Sequence, residues 1–143
     1  GLMGDFYMRM LRAEEDTDAK KAVLETAINY YQYAVEVSTG KDAAQKPKYL
    51  ISLGNAYIEF SKVYPNQGDK IYVEKAIQAY TDAINEGINA ADIWKIEELI
   101  AKLYAQMGNI PSALAHAEIA LESVPEAQRQ QIIDLIDQLK NIP

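Results

Sequence analysis

Apolar residues recur along most of the chain at spacings of three and four, the period of a helix with one buried face. Leu24, Ala27, Ile28, Tyr31, Ala34 and Val35 form one such stripe, and Val73, Ala76, Ile77, Tyr80, Ala83 and Ile84 form another. The pattern predicts seven helices. The first covers about 2–13, and the second about 19–37, with Asp16 or Asp18 placed to cap it. Ser38 to Asp42 reads as a turn. Pro47 fits the first turn of the third helix, which carries Leu50, Leu53, Gly54, Tyr57 and Ile58. Pro65 to Asp69 breaks the chain before the fourth helix, and Gly87 suits a C-terminal cap. The fifth helix starts near Ala91 or Asp92 and stops at Gly108-Asn109. The sixth opens at Pro111 and ends at Pro125. The seventh, about 126–140, sets Ile132, Ile133, Leu135, Ile136 and Leu139 against a strongly polar opposite face.

One local pattern occurs three times. Leu53-Gly54-Asn55-Ala56-Tyr57 is echoed by Met3-Gly4-Asp5-Phe6-Tyr7 and, more loosely, by Ile100-Ala101-Lys102-Leu103-Tyr104. Each is followed by a triplet at helical spacing: Ala27/Tyr31/Ala34, Ala76/Tyr80/Ala83 and Ala113/Ala117/Ala120. Small residues let helices approach closely, and a large residue fills the space beside them.

These residues resemble the tetratricopeptide-repeat family, marked by Leu-Gly-x-x-Tyr on the first helix of a pair and Ala-x-x-x-Phe/Tyr-x-x-Ala on the second. Tyr104, Gly108, Ala113, Ala120 and Pro125 fall at the family's spacing, with Ala101 in the glycine's place. The resemblance implies a right-handed, all-α solenoid of three helix pairs plus a C-terminal capping helix, in a single domain over 1–143. The repeats would cover about 1–38, 46–87 and 91–125, with the cap at 126–140. Tyr7 to Ala27 spans twenty residues and Tyr57 to Ala76 nineteen, against nine from Tyr104 to Ala113, so the first two pairs should have longer helices. The first repeat begins about a turn short, as in a chain that starts inside a larger protein.

The resemblance further implies that the first helices line a groove holding a partner segment. Carried over position by position, the candidate partner-binding residues are Arg9, Arg12, Lys48, Asn55, Lys62, Lys95 and Lys102. The groove-facing set has six basic residues and three acidic ones (Asp5, Glu59 and Glu98), a local +3, whereas the remaining residues sum to −10. An acidic segment or a free C-terminal carboxylate is the ligand this segregation favours. Asn55 and Lys95 match parts of the family's chaperone-tail clamp. Gly1, Asp5, Ser52 and Leu99 occupy its other places, so chaperone tails are not expected.

Composition narrows the function further. A net charge of −7 argues against nonspecific nucleic-acid binding. There is no cysteine, hence no disulfide or thiol chemistry, which fits a cytoplasmic setting. No stretch is apolar for long enough to insert in a membrane. No phosphate loop, nucleophile motif or histidine-rich motif is present, so no enzyme activity, cofactor or metal is expected. His116, the single histidine, reads as structural, and the acidic run Glu14 to Asp18 reads as a solvated turn. Trp94 reads as core packing. Of ten tyrosines, Tyr30 and Tyr33 lie off the core stripe and suit a surface contact. The alternative to an adaptor is self-association, as a homo-oligomer, through an apolar edge at Leu2, Met3, Phe6 and Met10.

Overall fold

The computed structural model describes residues 4–5, 17–63 and 67–143. Among them all regular structure is helical, with no strand. Six helices carry it: α1 (Thr17–Val37), α2 (Lys46–Val63), α3 (Gln67–Glu86), α4 (Ala90–Gln106), α5 (Ile110–Ser123) and α6 (Arg129–Lys140). Gly4 and Asp5 are helical too, and are what is described of the first predicted helix. The chain forms two compact units, Gly1–Gly87 and Ile88–Pro143.

In the first unit α2 packs against both α1 and α3. Its core is the predicted stripes: Leu24, Ala27 and Tyr31 of α1, Leu50, Leu53, Ala56 and Phe60 of α2, and Val73, Ala76, Tyr80 and Ala83 of α3. The α1–α2 link passes through Ser38 and Thr39 to Gly40, whose φ of +58° suits a residue without Cβ, and continues as a 3₁₀ turn over Gly40–Gln45. Pro47 is buried in the first turn of α2. The extra residues lengthen both helices. The helix α2 runs six residues past Tyr57, whereas α4 runs two past Tyr104. At the next start, α3 begins nine residues before Ala76, and α5 three before Ala113.

In the second unit α5 packs between α4 and α6. Trp94, Ala101, Ala113, Ala117, Ala120, Ile132, Ile136 and Leu139 form one core cluster. The start of α4 and the α4–α5 junction have identifiable caps. Asn89 accepts a hydrogen bond from the Ala91 amide at the start of α4. At its end the Gly108 amide bonds Ala105 O and the Asn109 amide bonds Tyr104 O. With Gly108 at φ +82°, this is a Schellman stop. Asn109 then accepts from the Ser112 amide and opens α5, with Pro111 in its first turn. A short 3₁₀ turn, Glu126–Gln128, leads into α6, which buries Ile132, Ile136 and Leu139 and exposes Gln130, Gln131, Asp134, Asp137 and Gln138. Among the described residues no helix is long and apolar enough to cross a membrane.

Candidate functional site

The repeated motif has a definite contact at its centre. A Cβ added to Gly54 would lie 2.6 Å from the Tyr80 ring, and one added to Gly4 would collide with the Tyr31 ring in the same way. Each tyrosine hydroxyl then donates to the residue after its glycine: Tyr80 to Asn55 Oδ1, and Tyr31 to Asp5 Oδ1 at 2.8 Å. In the third copy Ala101 and Ala117 take the glycine and tyrosine places, and both are fully buried. Without a ring across the interface, the helix tolerates a methyl group. Burial pushes the Tyr80 hydroxyl well above the usual tyrosine range, and the nearby Glu59 carboxylate adds to this. Tyr31 is raised likewise, by burial first, then by donating to Asp5 and by Asp5's charge.

Asn55 therefore has a structural task as well as an exposed position. Of the other candidate partner-binding residues, Lys48 is exposed and has no ion pair among the described residues. The remaining lysines are held within their own helices. Lys62 reaches Glu59 at 3.2 Å, Lys95 reaches Asp92 at 3.4 Å and Lys102 reaches Glu98 at 3.7 Å. Such exposed pairs are worth only a few tenths of a kcal/mol. They still set a carboxylate beside each of these three lysines, and Asp92 is one the charge pattern did not include. Glu98 also accepts from Gln131 of α6 at 2.8 Å. Arg9 and Arg12 lie outside the described residues, as do Leu2, Met3, Phe6 and Met10 of the apolar edge.

The sequence did not reveal a polar cluster inside the second unit. Glu97 of α4 is 6% exposed, and its Oε2 lies 2.5 Å from Nδ1 of His116 on α5. The Tyr104 ring stacks on the imidazole, with centroids 5.3 Å apart. A buried carboxylate costs several kcal/mol unless hydrogen-bonded, and His116 supplies the bond. Chemically this is a histidine whose ring is oriented by a carboxylate. Each member occupies an inward helix position, but 19 residues separate the pair, so only tertiary packing joins them.

Two depressions of the first unit are lined by described residues. One, of about 310 Å³, lies where α1, α2 and α3 meet, lined by Glu25, Asn29, Gln32, Tyr57, Tyr72 and Lys75 among others. Gln32 Nε2 donates to the Tyr57 hydroxyl at 2.8 Å. Tyr72 stacks near Tyr57 and meets Phe60 edge-on at 4.4 Å. The Lys75 ammonium lies 5.4 Å from the Tyr72 centroid and 5.8 Å from that of Tyr57, so a cation of the chain itself already covers these rings. The second depression lies at the α1–α2 link and contains Tyr30, Tyr33 and Tyr49. No protein-family model, curated protein or solved structure matches the chain.

Proposed function

We propose that the chain is a non-enzymatic adaptor, built as a right-handed tetratricopeptide-like solenoid, that holds an acidic segment or a free C-terminal carboxylate along the first helices of its pairs. The observation that carries this reading is the repeated interlock of Gly54 with Tyr80 and Gly4 with Tyr31. Together with the alanine version at Ala101 and Ala117, it supports one packing unit used three times. Units of that kind stack, and their characteristic use is an extended surface for another chain. The Glu97–His116 pair fits this reading as a satisfied interior contact, because Tyr104 covers the imidazole face.

Lys48 would make the first contact with an acidic ligand, and Lys62, Lys95 and Lys102 would exchange their weak in-helix partners for it. The test is fluorescence anisotropy with a set of acidic peptides, each made with a free and an amidated C-terminus. Lys48→Glu combined with Lys95→Glu should weaken binding at least about tenfold, consistent with reversing two contact charges, while helicity is unchanged. Affinity that survives the double reversal, or a set in which no acidic peptide binds, would count against the basic-groove reading.

A further inference from the structure

We propose that the pocket at the α1–α2 link binds an alkylated ammonium group, such as a trimethylammonium head. The site is separate from the groove positions and does not depend on them. Its lining brings Tyr30 and Tyr33 from α1 together with Tyr49 from α2, and Asp42 and Gln45 from the 3₁₀ turn between them, around a cavity of about 240 Å³. That is below the roughly 300–1,000 Å³ of pockets for drug-sized molecules, and suits a head group.

Three features select a cation over a neutral apolar group. Aromatic rings present a negative quadrupole face, and tyrosine-lined pockets are a recurrent solution for quaternary ammonium. Asp42 is the one charged residue in the lining, and among the described residues its carboxylate has no hydrogen-bond or ion-pair partner. No lysine lines the pocket, and Lys46, at the start of α2, is engaged by Glu86 at 3.2 Å. The pocket thus has aromatic walls and a free anion. The other depression differs, because Lys75 already sits over its rings.

The walls are also held in place. Tyr30 meets the fully buried Tyr31 ring edge-on, with centroids 5.7 Å apart. Ser38 Oγ donates to Ala34 O at 2.6 Å, and the Asp42 amide donates to Thr39 O at 3.0 Å, which fixes the turn carrying the carboxylate. By contrast Tyr33 is 63% exposed and Val37 49% exposed, an unusual cost for an aromatic and a branched residue side by side on a helix. A bound alkylammonium group would cover part of both.

The experiment is an NMR titration of the full chain, following tyrosine ring signals. The probes are choline and its uncharged carbon isostere, 3,3-dimethylbutan-1-ol. Choline should give saturable shifts, and the alcohol should bind at least about tenfold more weakly, because it keeps the shape and loses the charge. Asp42→Asn and Tyr33→Ala should each weaken choline about two- to fivefold, as expected for exposed charge and cation–π contacts. Both side chains are exposed, so far-UV circular dichroism should not change. Trimethyllysine within a neutral peptide distinguishes the two sources of the group. Tighter binding than choline assigns the site to a partner's side chain, and equal binding assigns it to a free head group. The proposal is overturned if the alcohol binds as well as choline, if neither variant changes affinity, or if no cation gives a saturable shift.

Discussion

Gly54 and Tyr80 illustrate how one residue sets the identity of another across a helix interface. An alanine at position 54 gains about 1 kcal/mol of helix propensity. Its Cβ also lies 2.6 Å from a fully buried ring, and overpacking of that kind costs about 1–3 kcal/mol. Gly54→Ala should therefore destabilise the parent protein by up to about 2 kcal/mol, the overpacking cost less the propensity gain. In a Tyr80→Ala background the ring is gone and only the propensity remains, so the same change should stabilise by about 0.5–1 kcal/mol. The chain contains this second solution itself, in Ala101 and Ala117. Urea unfolding of the four variants measures the cycle, and a Gly54→Ala effect of the same sign in both backgrounds would refute the interlock. The tyrosines also predict an alkaline limit. Tyr80 is held neutral in the fold above its ordinary pKa of about 10. Above that pH the unfolded chain releases a proton that the folded one keeps, so stability is complete below about pH 10 and falls as pH rises beyond it. Tyr80→Phe, which keeps the ring and removes the proton, should flatten that fall in unfolding free energies measured between pH 9 and 12, roughly the range that brackets the ordinary tyrosine pKa.

Between α4 and α5, the Glu97–His116 contact shows how an element pair can depend on a polar bond. Replacing His116 by Phe keeps a ring against Tyr104 but strands a buried carboxylate, at about 1–3 kcal/mol. Changing Glu97→Leu at the same time removes the stranded charge and should recover most of the loss. Fluorescence of Trp94, the single tryptophan and part of this unit's core, reads the transition directly. If the double variant is as unstable as His116→Phe alone, the carboxylate is not the source of the cost. The elements themselves were readable because glycine and proline mark their ends by local stereochemistry. Gly108 and Asn109 close α4 and open α5, and Pro111 and Pro125 bracket α5. The start of α4 lay one or two residues before the expected Ala91 or Asp92, since the capping group is Asn89. The Glu97–His116 bond was not readable, because nothing local fixes which face of α5 meets which face of α4.

For the whole molecule, the relevant quantity is a charge of −7 set against a small group of candidate cations. Helical spacing made Lys62, Lys95 and Lys102 readable as exposed, and the same spacing places Glu59, Asp92 and Glu98 three or four residues before them. What spacing did not convey was that each pair closes, or that Asn55 accepts from Tyr80. The pocket at the α1–α2 link was equally hidden, because Tyr49 and Asp42 join Tyr30 and Tyr33 only when α2 packs on α1. These facts determine how salt should act on an acidic ligand. The long-range field of the molecule repels it, and the field is screened over about 10 Å at 0.1 M salt. In the proposed groove, contacts with Lys48 and its neighbours would act at short range and weaken more gradually. Added salt should therefore raise the association rate, because repulsion during approach is removed, and also raise the dissociation rate, because the ion contacts loosen. Affinity then passes through a maximum at intermediate salt. Stopped-flow anisotropy across an ionic-strength series separates the two rates. An association rate that falls steadily with salt would mean that the lysines govern the approach as well as the contact. The Lys48→Glu variant should mainly raise the dissociation rate at every salt concentration, since one reversed charge adds little to the total but sits at the proposed point of contact.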